Sequence, residues 1–261
     1  MSISPTKRIS ARDNPEFKRF LAVRARKDRD LILVEGPKLL AEALRSKLLV
    51  KAIAVDDAAE GPAPTIGVPT LRFAAPLMSR LSDVETHQGI VALVQRPHFG
   101  REWLEQKDAF LLVLDGLQDP GNVGTLLRTA EAAGVKGVLL TRGCADPLSP
   151  KTLRASAGSA FRVPHVLDLP VDGLLSLLPK GVRLVAAVAG PGAASAFGDT
   201  PLTLPIALAL GSEGSGLSPQ IEKAASVRLR VPSAGDVESL NVAAAGAVLM
   251  FEIARRSGRL L

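Results

Sequence analysis

The 261-residue chain is 47% hydrophobic and 22% charged, a composition typical of a globular protein with room for two domains. Eight Phe, one Trp and no Tyr argue against a row of aromatic side chains that would stack on nucleic-acid bases. The single cysteine, Cys144, excludes an internal disulfide, and three scattered His offer no metal-ligand cluster. No apolar run reaches the roughly 20 residues of a membrane helix. We therefore expect a soluble, cytoplasmic protein without a metal.

The positive charge is concentrated at the amino-terminal end. Residues 1–51 contain 13 Lys and Arg against 6 Asp and Glu, a net charge of +7. The other 210 residues contain 19 against 20, a net charge of −1. This asymmetry favours a polyanionic partner such as a nucleic acid at the amino-terminal end. The alternative is a solvated basic surface that serves only solubility.

Short helices and strands alternate through residues 1–96, which predicts a small α/β domain. Asn14 and Pro15 are typical of a helix start, and a second helix is expected at about 37–46. The predicted strands are Leu31–Val34, Val50–Val55, Pro69–Phe73 and Gly89–Val94. The segment from Arg96 to Arg101 (RPHFGR) breaks this pattern, so we expect a linker at 97–108.

Residues 109–261 form a regular α/β series and are expected to be a second domain. The predicted strands are Phe110–Leu114, Gly137–Leu140, Arg183–Val188, Ile206–Leu210 and Val227–Val231. The predicted helices are 122–133, 150–157, 171–178, 219–225 and 239–256. Apolar strands separated by amphipathic helices predict a parallel sheet covered on both faces. Ligands of such sheets bind in the loops beyond the carboxyl ends of the strands.

The first segment with candidate functional residues runs from Asp115 to Arg128 (DGLQDPGNVGTLLR). Asn122 follows a Pro-Gly turn and could cap the helix that begins there. Arg128 would then project from the second turn, although it could instead form a surface ion pair with Glu131. A dinucleotide site is disfavoured, because the loop lacks G-x-G-x-x-G spacing and no acidic residue ends the next strand.

A second loop, from Leu210 to Ser218 (LGSEGSGLS), follows an apolar strand directly. Its glycines allow a sharp turn and a close approach of backbone to a ligand. Glu213 stands between them and is either a site residue or a solvated side chain in a tight turn. The Gly-Lys-Ser/Thr ending of a phosphate-binding P-loop is missing.

A third segment begins at Val231 (VPSAGDVESLNVAAA) and leads into the last helix. Ser239 is placed to cap this helix, with Asn241 in its first turn, although both could serve as nothing more than caps. The small residues at 243–247 predict that another element packs closely on the helix.

In this order and spacing, the three segments resemble the signature motifs of the SpoU (TrmH-like) branch of the SPOUT methyltransferases. The resemblance covers about residues 109–256, with a weaker match at Ser156–Pro164 (SAGSAFRVP). Glu35-Gly36 and Thr86–Val91 (THQGIV) also look like the substrate-binding domain often fused in front. Ser233 departs from the family, which often has Met there, and so does the alanine run after Asn241.

The resemblance implies an S-adenosylmethionine-dependent RNA 2′-O-ribose methyltransferase. It implies a parallel-sheet domain with a deep trefoil knot, behind a small α/β RNA-binding domain, in a homodimer. Ribosomal RNA is favoured over transfer RNA as the substrate. The cofactor residues that it implies are Ala187, Val188, Ala189, Gly211, Glu213, Gly214, Val231, Pro232 and Leu240.

Arg128 is the central catalytic residue that the resemblance implies. Because a guanidinium is a poor base, we expect it to bind a phosphate and stabilise the developing alkoxide. The alternative, direct proton abstraction by Arg128, would require an unusual environment of the guanidinium. Asn122 and Glu213 would orient the reacting groups, and Ser239 and Asn241 would shape the pocket. Two alternatives are a non-catalytic RNA-binding protein of ribosome assembly and a nucleotide-dependent oxidoreductase.

Overall fold

A computed structural model describes residues 7–58, 67–82, 88–190, 192–236 and 239–259. Thr86 and His87 of the family-like stretch lie outside these ranges. The chain divides into two compact units: residues 1–98 with 148–161, and residues 99–147 with 162–261. The domains at 1–96 and 109–261 remain a prediction, and the structure groups residues 148–161 with the first unit.

Strands and helices alternate along most of the chain. In chain order the strands are β1 Lys7–Ile9, β2 Leu31–Glu35, β3 Val50–Asp56, β4 Thr70–Phe73, β5 Ile90–Gln95, β6 Phe110–Asp115, β7 Gly137–Thr141, β8 His165–Leu169, β9 Arg183–Ala187, β10 Ala194–Ser195, β11 Ile206–Gly211 and β12 Val227–Arg230. The helices are α1 Pro15–Arg24, α2 Pro37–Arg45, α3 Ala75–Met78, α4 Pro120–Ala132, α5 Pro150–Ala155, α6 Val171–Leu177, α7 Pro219–Ala224 and α8 Val242–Arg256.

The first unit is built on a five-stranded sheet in the order β1-β4-β3-β5-β2. β4 runs parallel to β1 and β3, whereas β5 runs antiparallel to β2 and β3. Phe17 and Phe20 of α1 meet Phe73 of β4 edge to face, which anchors the helix on the sheet. Asn14 accepts a hydrogen bond from the Glu16 amide, as its predicted capping role requires.

The second unit is built on a seven-stranded sheet in the order β10-β12-β9-β11-β6-β7-β8, and all its neighbouring pairs are parallel. The predicted parallel sheet is confirmed. β8 and β10 were not predicted, because β8 is a half-exposed edge strand and β10 is two residues long. β6 is buried along its whole length, as the central strand of a covered sheet should be.

The last helix packs closely on its neighbours, as its small residues predict. A Cβ at Gly246 would lie 2.5 Å from Leu126 of α4 and 2.7 Å from Leu210 of β11. A larger residue at this position would therefore require the Leu126 and Leu210 side chains to move. The contact packs α8 against both α4 and β11.

Within the described ranges, no helix is long and apolar enough to cross a membrane. The described residues also contain no cluster of three or more His, Cys, Asp or Glu placed to hold a metal ion.

Candidate active site

The three segments meet because of the strand order. β6 and β11 are parallel neighbours in register, with Asp115 beside Gly211 at their carboxyl ends. The loops that follow them therefore start side by side. β9 and β12 end at the same edge of the sheet, and β9 lies between β12 and β11. The carboxyl ends of β6, β9, β11 and β12 are thus neighbours at one edge of the sheet, and the loops beyond this edge are where parallel sheets bind ligands.

Helix α4 begins earlier than the sequence predicts. Its cap is Asp119, whose Oδ2 accepts a hydrogen bond of 3.0 Å from the Asn122 amide. The prediction that Asn122 caps this helix is wrong, because Pro120 occupies the first helical position and the turn is already helical there. The Asn122 side chain is therefore available for other contacts.

Helix α8 begins later than predicted. Asn241, not Ser239, is its cap, and Asn241 Oδ1 accepts hydrogen bonds from the amides of Ala243 and Ala244 at 2.9 and 3.3 Å. The predicted capping role of Ser239 is wrong. The cap fixes the Asn241 side chain through its oxygen and directs its NH₂ group elsewhere.

That NH₂ group joins the three segments. Asn241 Nδ2 donates to Glu213 Oε1 at 2.5 Å and to Asn122 Oδ1 at 3.1 Å. Asn122 Nδ2 donates to the same Glu213 oxygen at 3.3 Å. Each of the three segments thus contributes one residue to a hydrogen-bonded group, which we call the polar trio (Asn122, Glu213 and Asn241). Two donors on one oxygen hold the Glu213 carboxylate in a defined position.

The glycine-rich loop that carries Glu213 folds back on its own strand. The Ser212 amide donates to the Gly216 carbonyl at 3.1 Å, and the Gly216 amide donates to the Ser212 carbonyl at 2.9 Å. A Cβ at Gly211 would overlap the Gly216 backbone, so the turn requires glycine there. Glu213 is consequently held at the tip of a tight turn.

Buried Asp115, at the end of β6, ties this loop to the sheet. Its Oδ2 accepts from the Ser218 amide at 2.6 Å, and its Oδ1 accepts from the Thr141 hydroxyl at 2.8 Å. Thr141 in turn accepts from the Gly116 amide at 2.9 Å. Sequence reasoning did not assign this role to Asp115, although a carboxylate at the end of a buried strand was a signal for it. Burial raises the pKa of the neighbouring Cys144 thiol.

Arg128 lies two turns along α4 from Asn122 and is exposed. Its side chain has no hydrogen bond or ion pair with any described residue. The alternative pairing with Glu131 is not found, because Glu131 is held by Arg162, whose Nε and Nη2 lie 2.5 and 2.9 Å from its carboxylate oxygens. Arg128 therefore presents an exposed guanidinium that has no side-chain partner among the described residues.

A cavity of about 530 Å³ opens between the loops after β9, β11 and β12. Its lining includes the predicted cofactor residues Ala187, Val188, Ala189, Gly211, Glu213, Val231 and Leu240, together with Ser239. Gly214 and Pro232 are not part of the lining, and neither are Asn122, Arg128 and Asn241. Lining residues that sequence reasoning missed include Gly190, Leu210, Leu217, Arg228, Arg230 and Leu249. Glu213 belongs both to the cavity and to the polar trio.

A parallel α/β unit with a cavity at the carboxyl ends of its strands defines a protein that binds a small cofactor there. The model of the SpoU rRNA methylase family matches residues 109–251. The chain belongs to this family.

Similar proteins support the assignment. The chain is 34% identical over 254 residues to the 23S rRNA (guanosine(2553)-2′-O)-methyltransferase RlmP of Bacillus subtilis, covering 95% of this chain and 99% of RlmP. It is 34% identical over 181 residues to the 23S rRNA (guanosine-2′-O-)-methyltransferase RlmB of Yersinia pestis, covering 66% of this chain and 72% of RlmB. The crystal structure of AdoMet-bound rRNA methyltransferase from Sinorhizobium meliloti superposes with a TM-score of 0.81 at 28% identity, covering 98% of this chain and 99% of that one.

Proposed function

We propose that the protein is an S-adenosylmethionine-dependent methyltransferase that modifies a ribose 2′-hydroxyl of ribosomal RNA. The observation that carries the proposal is the position of Glu213, which lines the cavity and accepts hydrogen bonds from Asn122 and Asn241. The cavity proposed for the cofactor and the hydrogen-bonded polar trio thus share the Glu213 carboxylate. The RlmP and RlmB relatives are named for this reaction on 23S rRNA, which favours ribosomal over transfer RNA.

The cavity fits S-adenosylmethionine in size and lining. A volume of about 530 Å³ is within the usual range for sites of molecules of this size. Leu210, Leu217, Leu240 and Leu249 offer apolar surface for an adenine ring, and small residues such as Gly211 allow it to approach the backbone. When bound, this cofactor supplies a methyl group on a sulfonium, which an oxygen nucleophile can accept.

The chain's own residues would position and activate that oxygen. Arg128, which has no partner among the described side chains, would bind the RNA phosphate next to the target ribose and stabilise negative charge on the 2′-oxygen. Asn122 and Asn241 would hold Glu213 beside the cavity, and Ser239 would shape the cavity mouth.

The proposal includes three features that the family resemblance implies: the trefoil knot, a homodimer, and RNA binding by the basic amino-terminal domain. A cytoplasmic location also belongs to it, because a chain with one cysteine suits a reducing compartment. The alternative of a non-catalytic RNA-binding protein gains no support from the relatives, which are named as methyltransferases.

The test is methyl transfer from labelled S-adenosylmethionine to ribosomal RNA from cells that lack this protein. We expect label in RNA at a nucleotide whose 3′ bond resists alkali, because a 2′-O-methyl group removes the attacking hydroxyl. We expect Arg128→Ala to lower the rate by about 100-fold or more. Its dissociation constant for S-adenosylmethionine should stay within about twofold of the wild-type value.

The matched control is Arg101→Ala, which removes an exposed arginine of the same unit that is not part of the cavity lining. It should leave both the rate and the cofactor affinity unchanged. Equal loss of transfer and cofactor binding in Arg128→Ala would contradict the role of Arg128. No transfer by the wild-type protein to either ribosomal or transfer RNA would contradict the proposed function itself.

A further inference from the structure

Arg230, like Arg128, has no side-chain partner among the described residues, but unlike Arg128 it lines the cavity. Arg230 ends β12, and its backbone is fixed by β10, since the Ala196 amide donates to the Arg230 carbonyl at 2.8 Å. Its side chain lines the cavity, and its buried Nε has no hydrogen-bond partner among the described residues. A buried guanidinium nitrogen without an acceptor is costly, so its position indicates an acceptor that comes with a ligand.

The other charged residues of the cavity lining lie beside Arg230 or on other elements of the unit. Arg228 lies on the same side of β12 as Arg230, two residues away, and pairs with Glu222 of α7 at 4.0 Å. Glu213 lines the cavity at the end of β11, two strands from β12, which corresponds to roughly 10 Å across a sheet. The carboxylate of the polar trio and the guanidinium of Arg230 thus lie in different parts of one cavity.

The cofactor offers an acceptor for the Arg230 guanidinium at its amino-acid end. S-adenosylmethionine has two positive groups, the sulfonium and the ammonium, and one negative group, the α-carboxylate. The ammonium is bonded to the same carbon as the carboxylate, so a guanidinium binds the carboxylate oxygens from the side away from the ammonium, where it forms charge-assisted hydrogen bonds. The carboxylate is also the strongest acceptor that the molecule can offer to a buried N–H group.

We propose that Arg230 binds the α-carboxylate of S-adenosylmethionine and so selects the amino-acid end of the cofactor. The inference rests on the proposed function. It makes Arg230 a residue that recognises the cofactor, separate from Arg128, which would act on the RNA. It also orients the bound molecule in the cavity, with its carboxylate at the β12 side.

The experiment compares two ligands, S-adenosylmethionine and its decarboxylated form, by calorimetry on the full-length protein. We expect the wild-type protein to prefer the carboxylated ligand by roughly 10- to 100-fold, as for hydrogen bonds to a charged group. Arg230→Met should abolish this preference by weakening only the binding of S-adenosylmethionine. Arg230→Lys should retain part of it, and Arg101→Met, the matched control, should retain all of it.

Binding of 5′-methylthioadenosine, which lacks the whole amino-acid end, verifies that each variant has kept its cavity. Equal binding of the two ligands by the wild-type protein would overturn the inference without any variant. An undiminished preference in Arg230→Met would overturn it as well, and so would an equal loss of both ligands. A wild-type protein that binds none of the three ligands would instead contradict the proposed function.

Discussion

The two units each contain a cavity with arginines in its wall, and the arginines differ in what they contact. In the first unit, a cavity of about 590 Å³ is lined by Glu35, Glu42, Arg45 and Arg154, among others. Arg154 Nη1 lies 3.1 Å from Glu35 Oε2, and Arg45 Nη2 lies 2.5 Å from Glu42 Oε1. In the second unit, Arg230 has a buried Nε without a partner among the described residues.

The difference separates charges that stabilise the fold from charges that are available to a ligand. The Glu35 carboxylate is 7% exposed and is held by Arg154 and by the Ser82 hydroxyl, so its charge is already compensated. Arg128 and Arg230 lack such a partner among the described side chains. We expect substitution of the first kind of residue to reduce stability, and substitution of the second kind to reduce binding or catalysis.

The largest effect on stability is expected for Arg154→Met. The substitution leaves the buried Glu35 carboxylate without its cation, and we expect the free energy of unfolding to fall by about 2–3 kcal/mol. Urea denaturation measures this loss. Arg45→Met is the control, because the Arg45 side chain is 72% exposed and such pairs contribute at most about 0.5 kcal/mol.

Two further variants sharpen this comparison. The double substitution Glu35→Gln with Arg154→Met should recover most of the lost stability, because no buried charge is then left unpaired. Arg230→Met should cost no stability, since it breaks no side-chain hydrogen bond of the described structure. An Arg154→Met protein as stable as Arg45→Met would show that the Glu35 pair does not stabilise the first unit.

The sequence could predict the features that depend on local patterns, but not those that depend on contacts between distant residues. Periodicity was sufficient for the parallel sheet, and the order of three polar loops was sufficient for the family. The sequence predicted Ser239 as the cap of α8, whereas the structure has Asn241 there. Both residue types suit a helix start, so the sequence could not distinguish them, and Asn241 is the one that also contacts Glu213 and Asn122. These contacts join residues up to 119 positions apart, which no local pattern encodes.

Arg230 and Arg154 were beyond sequence reasoning for similar reasons. The alternating segment Val227–Arg230 (VRLR) is typical of an edge strand with solvated charges, and only the strand order places Arg230 in a cavity. Helix α5 follows the first strands of the methyltransferase unit in the chain, so its grouping with the first unit through Arg154 and Glu35 could not be predicted from its neighbours.

For the basic residues of the first unit, we expect an intermediate effect, on RNA affinity. Lys18, Lys27 and Arg29 are exposed, and their side chains form no hydrogen bond or ion pair with a described residue. Their combined substitution by Gln should lower RNA affinity about tenfold at 0.1 M salt, or about 1.4 kcal/mol. The slope of log K against log salt concentration should become shallower by about 2. Filter binding over a range of salt concentrations measures both.

The control for this prediction changes the charge by the same amount in the second unit. Lys107, Lys180 and Lys223 are also exposed, and their combined substitution by Gln should leave the salt slope closer to that of the wild-type protein. Equal slopes for the two triple variants would contradict a special role of the amino-terminal charge. RNA would then respond only to the net charge of the whole protein.

A smaller effect on the free energy of unfolding is expected for the ion pairs at the end of α8. Hydrogen bonds from Arg255 and Arg256 lower the pKa of Glu252 from 4.5 to about 2. Because this pKa is lower in the folded state, the pairs stabilise the protein above about pH 4.5, and the stabilisation is lost as the pH falls toward 2. Glu252 also orients Arg256, whose guanidinium donates to the Thr200 and Ala196 carbonyls at 3.0 and 2.9 Å.

We therefore expect Glu252→Gln to lower the free energy of unfolding by about 1 kcal/mol at neutral pH, because solvent screens the pair with exposed Arg255 and the Gln carbonyl can still accept a hydrogen bond from Arg256. The difference from the wild-type protein should stay constant between about pH 5 and 8 and narrow below pH 4.5, as measured by denaturation at each pH. A difference that grows with acidity would contradict the sign of the shift. A loss as large as that of Arg154→Met would show that the Glu252 ion pairs stabilise the fold as strongly as the Glu35 pair does.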